Sequence, residues 1–171
     1  MAAGAAKITA MPSLLKFISF LAMFSVGTLT LAQGPPKELS VFHHARGTFE
    51  VSIQPRPAPD IGGVACFSSD KTIHGDLEAT SKGEMFSAGD PKAGNAGYVA
   101  IETVNGKLEG KSGSFVLQHF ATMDASGRDM IVKVSPGSGT GELKGISGTF
   151  TIIIEGGKHS YDFEYKLANG E

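Results

Sequence analysis

Polar and apolar residues alternate with a period of two through much of the chain after position 47. In Thr48–Ile53 the apolar residues Phe49, Val51 and Ile53 each follow a polar one. Successive side chains of a strand point to opposite faces, so this pattern predicts a half-buried β-strand. Seven further runs have strand-like patterning: Lys71–Ala79, Gly83–Ala88, Gly97–Val104, Ser114–Ala121, Met130–Val134, Gly148–Glu155 and Ser160–Leu167.

Turn-forming residues lie between these runs. Proline cannot donate to a β-ladder, so Pro55 ends the first run. Asn105-Gly106 is predicted to form a two-residue hairpin turn, because Asn and Gly both accept positive φ. The other turn signals are Gly89-Asp90-Pro91, Ser126-Gly127, Pro136-Gly137 and Gly156-Gly157.

The fold class follows from the number and spacing of the runs. No segment after Ala32 has an apolar stripe of helical period, and the 23 glycines of the chain also disfavour helices. Eight short strands at regular spacing are typical of a β-sandwich or a β-barrel. We predict an all-β domain, a single small antiparallel β-barrel of about eight strands, since closure removes exposed sheet edges.

The first 32 residues have the features of a cleavable signal peptide. Lys7 and Lys16 precede an uncharged, largely apolar segment, and Thr30-Leu31-Ala32 supplies small residues for cleavage. An uncleaved anchor is the alternative, and Met11 is an alternative start. We therefore expect a signal peptide at 1–32, a linker at 33–44 and the barrel at 45–171. The protein is expected to be exported, periplasmic or secreted, without stable membrane insertion after cleavage.

Charge and motifs argue against several classes of function. The formal net charge is −2 and no basic run occurs, so a nucleic-acid partner is not expected. Cys66 is the only cysteine, which excludes an intramolecular disulfide. The glycine-rich segments 106–112 and 137–141 lack the spacing and the following helix of nucleotide-binding loops. The five histidines form no zinc-ligand spacing, so neither a metal nor a cofactor is predicted.

Four polar residues are candidates for a ligand site within the predicted barrel. His159 and Tyr161 share the apolar face of the last strand, and His119 shares a face with Phe115 and Leu117. For all three the alternative is a hydrogen-bonded core residue. Glu102 lies in a strand with two apolar faces, so it points either into the barrel or to solvent; a buried carboxylate is usually paired or functional.

Five stretches carry a resemblance to a known family: Gly83-Glu84-Met85, Gly97–Glu102, Lys111–His119, Pro136–Leu143 and Gly156–Tyr165. Over about residues 45–167 the chain resembles the bacterial domain of unknown function 3224 family. The resemblance implies a compact barrel similar in fold to plant allene oxide cyclase. It implies no activity, because that family is functionally uncharacterised, and a likeness in fold to a cyclase does not carry the function with it.

Three functions remain open at this point. The first is a binding module that holds a small apolar ligand in the barrel interior. The second is a cofactor-independent isomerase or cyclase in which Glu102 and His119 steer charge or move a proton. The third is a structural or self-associating barrel, and a homo-oligomer is compatible with the sequence. A carboxylate and an imidazole that converge in one cavity would favour the second function over the first.

Overall fold

The computed structural model describes residues 41–57 and 59–168, which form a closed barrel of eight antiparallel strands in chain order. The prediction of an all-β barrel is confirmed. Two single-turn 3-10 helices, Pro91–Ala93 and Gly141–Leu143, accompany the strands. The strands are β1 His43–Arg56, β2 Val64–Gly75, β3 Leu77–Asp90, β4 Asn95–Leu108, β5 Lys111–Asp124, β6 Gly127–Val134, β7 Ser147–Glu155 and β8 Lys158–Lys166.

The predicted signal peptide at 1–32 lies outside the described residues. Strand β1 begins at His43, inside the range predicted as linker, where the backbone pairs with Tyr165 of β8. Within the described part of the chain, no helix has the length and apolar character needed to cross a membrane.

The prediction of one strand over Lys71–Ala79 is wrong. The chain turns at Asp76, and the runs predicted as Lys71–Ala79 and Gly83–Ala88 divide differently, between β2 and a single long β3. The alternation gives no sign of this turn, because Ile73 and Leu77, on either side of it, both point inward and so keep the period of two. Asp76 is tied to β1, since its carboxylate accepts from the backbone N–H of Arg46 at 2.8 Å.

The hairpin turn predicted at Asn105-Gly106 is also wrong. Both residues lie within β4, and the chain reverses at Glu109-Gly110, where φ is +46° and +84°. Gly106 instead allows β3 and β4 to approach closely, because a Cβ at this position would lie 2.6 Å from the Cα of Ala79. Glycine in a strand often marks such an approach.

Large side chains fill one end of the barrel, which we call the closed end. It carries the β2–β3, β4–β5 and β6–β7 connections. Phe150 stacks on Tyr161 with ring centroids 4.9 Å apart, and Phe115 stacks on Phe163 at 5.5 Å. The other buried residues of this packing include Leu77, Leu108, Leu117, Val134 and Tyr165. The inward face predicted for the last strand, with Tyr161, Phe163 and Tyr165, is confirmed.

The long connection between β6 and β7 covers the closed end. It buries Leu143 and Ile146 against the barrel core. It is held in place by Thr140, whose backbone N–H donates to the carbonyl oxygen of Ser114 at 2.8 Å. The glycine-rich segment 137–141 thus belongs to this cover.

Strands β6 and β7 close the barrel with a single paired position, Lys133 opposite Thr149. By contrast, β6 pairs with β5 over eight positions and β7 pairs with β8 over nine. Toward the opposite end of the barrel, which we call the open end, β6 and β7 therefore run without a shared ladder.

Candidate ligand-binding site

A cavity of about 330 Å³ occupies the half of the barrel toward the open end. Here the inward positions carry small side chains, whereas large ones fill the closed end. Ser69, Ser87, Ala96, Ala100 and Ala121 all line the cavity. Because these side chains are too short to meet across the barrel, the interior stays unfilled at this end.

The cavity wall is mainly apolar, with polar groups at a few places. Arg128 and His159 come from β6 and β8 near the open end. Lys71, Glu102 and His119 lie deeper. The larger apolar side chains of the wall are Phe49, Val51, Ile53, Met85, Tyr98, Met123, Met130, Ile152 and Ile154.

Lys71, Glu102 and His119 form a buried cluster on three strands. The Nζ atom of Lys71 lies 2.5 Å from Oε2 of Glu102, and Nε2 of His119 lies 2.9 Å from the same oxygen. Their side chains are only 8%, 2% and 5% exposed. The first contact is a hydrogen-bonded ion pair. The second is close, but Nε2 of His119 has no aligned hydrogen-bond partner.

Strand register and one glycine position this cluster. Glu102 stands opposite Gly83 of β3 and opposite Leu117 of β5, two residues before His119. A Cβ at Gly83 would lie 3.2 Å from the Cβ of Glu102 and 2.9 Å from Oγ of Ser69. The absence of a side chain at Gly83 therefore leaves room for the carboxylate inside the barrel.

The surroundings of Glu102 keep its carboxyl ionised. Burial alone raises the pKa of Glu102, but the contacts with His119 and Lys71 outweigh it and lower the pKa to about 2. Ser81 acts in the same direction on the pKa of Glu102, although its buried hydroxyl lacks an aligned partner. At neutral pH the Glu102 carboxylate is thus a charged group fixed within the barrel and a poor proton acceptor.

The structure brings together three of the four predicted site residues. Glu102, His119 and His159 line the cavity, and the ring of His159 packs on Phe49 with centroids 5.1 Å apart. Tyr161 lies in the core instead, where its hydroxyl accepts from the backbone N–H of Leu77 at 3.0 Å. A role in ligand binding stays a prediction for all four residues.

Sequence reasoning missed Lys71. In the alternation of β2, Lys71 falls on the inward face with Ile73, so the signal was present in the pattern. Arg128 was missed as well, because the predicted sixth strand began only at Met130. Among the described residues, no three His, Cys, Asp or Glu side chains are grouped so that they could hold a metal ion.

Comparisons with known proteins agree with the fold. The family model described as "Protein of unknown function (DUF3224)" matches residues 45–165. A crystal structure of a protein with unknown function from the DUF3224 family of Shewanella oneidensis MR-1 is 45% identical in sequence, with a TM-score of 0.69. The match covers 76% of this chain and 100% of that one. No curated protein matches the chain significantly. The chain therefore belongs to the DUF3224 family.

Proposed function

We propose that the barrel binds one small, mainly apolar molecule in the cavity at its open end. The observation that carries the proposal is an apolar cavity of about 330 Å³ with Lys71, Glu102 and His119 in its wall. This volume lies at the lower end of the range for small-molecule sites, roughly 300–1,000 Å³. Such sites combine apolar walls with a few polar groups that orient the ligand.

The charge of the cluster indicates which polar group the ligand carries. Lys71 and Glu102 compensate each other at 2.5 Å, so a second ion beside them would be buried without a counter-charge. A neutral polar group, such as a hydroxyl or a carbonyl, has no such cost. The ligand class that fits best is a compact apolar molecule with a neutral polar group at its inner end.

Mass spectrometry of the molecules that co-purify with the protein tests this proposal directly. An Ala100→Phe variant fills the cavity and should lose the co-purified ligand. A Thr72→Phe variant, which places the same aromatic side chain on the exposed outer face of β2, should retain it. The uncharged fluorescent probe N-phenyl-1-naphthylamine supplies a second measurement. Equal ligand content and equal probe binding in both variants would refute the proposal.

A cofactor-independent isomerase or cyclase is the second candidate. It is favoured by the convergence of an imidazole and a carboxylate, 2.9 Å apart, in one cavity. Because the pKa of Glu102 is about 2, the carboxylate would stabilise developing positive charge rather than remove a proton. Incubation of the co-purified ligand with wild type and with Glu102→Gln distinguishes the two functions. Conversion to an isomer by wild type alone supports the enzyme, and an unchanged ligand supports the binding module.

A further inference from the structure

The outer surface of the barrel carries a row of exposed apolar side chains that the cavity does not use. Phe86, Val99, Phe120 and Ile131 stand opposite one another in register on β3, β4, β5 and β6. They are 41%, 49%, 50% and 44% exposed. We call these four residues the outer stripe. With strands about 4.8 Å apart, the stripe extends about 14 Å across the barrel wall.

The outer stripe is confined to one side of the barrel. Most outward positions of β1 and β2 carry polar residues, among them Glu50, Ser52, Asp70 and Thr72. Cys66 of β2 is in register with Phe86, but it is buried and adds no exposed apolar surface to the stripe. On β4, Ile101 adds a further side chain, 52% exposed, next to the stripe. A one-sided, contiguous apolar patch of this kind marks an interaction surface more often than scattered apolar residues do.

The next row of outward residues on the same four strands has a charged residue at each end, and these charges indicate the partner. In this row Glu84 of β3 is followed across the sheet by Ile101, Gln118 and Lys133 of β6. The β3 side of the stripe thus ends beside Glu84, whose side chain is 51% exposed although Nε of Arg56 lies 3.6 Å from its Oε1. The β6 side ends beside the positive charge of Lys133. When the β3 side of one copy meets the β6 side of another, Phe86 faces Ile131 and Glu84 faces Lys133.

We propose that the outer stripe is a self-association surface, on which the β3 side of one copy of this chain packs against the β6 side of a second copy. The contact is heterologous, because the two copies use different patches. Each copy keeps one unused side after the first contact, so assembly continues until a ring closes. The convex wall favours such an arrangement, since no single flat partner reaches all four strands.

A membrane surface fits the same stripe less well. Binding to anionic lipid requires basic residues around the apolar patch. Here Lys133 borders the patch together with the acidic residues Glu84 and Asp129, so the border carries no excess of positive charge, and the net charge of the chain is −2. The proposal does not depend on the ligand cavity, because the stripe residues point away from the barrel interior.

Sedimentation velocity on the protein recovered from cells that produce the full chain tests the proposal. We expect assemblies whose proportion rises with concentration and falls with added salt. Glu84→Lys or Lys133→Glu alone should weaken association about tenfold, because each places like charges together. The double variant Glu84→Lys, Lys133→Glu should restore association. Ile131→Ser should weaken association, whereas Ile61→Ser, at an exposed residue outside the stripe, should not.

Three results would overturn the proposal. A wild-type protein that stays monomeric up to roughly 100 µM has no specific self-association at this surface. If neither charge reversal weakens the assemblies, or if the double variant does not restore them, the copies associate through another surface. If the protein is monomeric and co-sediments with vesicles of anionic phospholipid, and if Ile131→Ser abolishes this binding, the stripe binds a membrane instead.

Discussion

Lys71 and Glu102 form a buried ion pair, with Nζ of the lysine 2.5 Å from Oε2 of the glutamate. The two residues are 31 positions apart and lie on β2 and β4, with β3 between them. Gly83 of β3 has no side chain, so the ion pair has room to form over this strand on the inner side of the barrel wall. The pair lies between the packed closed end and the cavity, whose wall it helps to form.

Removal of one partner should be costly. In Lys71→Met the carboxylate of Glu102 stays buried without its counter-ion, so we expect a loss of roughly 3–5 kcal/mol in the free energy of unfolding. Lys71→Met combined with Glu102→Gln removes the uncompensated charge and should recover a large part of that loss. Urea denaturation of the three proteins measures both effects. A cost below about 1 kcal/mol for the single variant would mean that water reaches the carboxylate.

The low pKa of Glu102 makes a specific contribution to acid stability. Its pKa falls from 4.5 to about 2 on folding. The contribution is complete above pH 4.5 and is lost as the pH falls from 4.5 toward 2. At about 1.4 kcal/mol per pKa unit, it is on the order of 3 kcal/mol. Glu102→Gln should therefore flatten the dependence of unfolding free energy on pH between 5 and 2, and parallel curves for the two proteins would contradict the pairing.

Tyr161 should contribute to stability rather than to ligand binding. Its hydroxyl accepts from the backbone N–H of Leu77, a residue with no exposed surface. Tyr161→Phe leaves this N–H without a partner and should cost about 1–3 kcal/mol, with ligand content unchanged. Tyr98→Phe is a matched control for stability, although Tyr98 lines the cavity, because among the described residues the Tyr98 hydroxyl hydrogen-bonds only to Sδ of Met130, at 3.9 Å. Loss of the co-purified ligand in Tyr161→Phe would show that Tyr161 belongs to the ligand site.

The sequence predicted the barrel because its signal is local. Alternation in β5 and β8 identifies the inward residues one by one, and the burial of Phe115 and Phe163 follows from it. The pairing of Lys71 with Glu102 depends on strand register, which a turn displaced by a few residues changes completely. Since Asp76 turns the chain where the alternation continues, the register of β2 against β3 could not be derived from the pattern alone.

The predicted leader calls for its own measurement. We propose that the exported protein begins at or near Gln33, because small residues at Thr30 and Ala32 follow an uncharged segment. Amino-terminal sequencing of the protein from the extracytoplasmic fraction should therefore start there. An intact first segment in the membrane fraction would identify an uncleaved anchor instead.

His119 and His159 separate binding from folding most sharply. Nε2 of His119 lies 2.9 Å from Oε2 of Glu102, and this contact helps to keep the Glu102 carboxyl ionised, so His119→Ala should cost about 1–3 kcal/mol in the free energy of unfolding. It should also weaken ligand retention, because it removes a polar group from the cavity wall. His159→Ala removes a ring that packs on Phe49 and should cost about 0.5–1.5 kcal/mol, with a smaller effect on the ligand.

Denaturant melts read beside the ligand content of each variant provide the measurement. If His119→Ala destabilises the barrel by 1–3 kcal/mol and leaves the ligand content unchanged, the imidazole is a core group and the polar side of the proposed site is wrong. Ligand loss in His119→Ala assigns the imidazole to the ligand, provided that Thr72→Phe and Tyr161→Phe keep their full ligand content. Because Tyr161→Phe is expected to lose about as much stability as His119→Ala, the ligand content decides between the two outcomes.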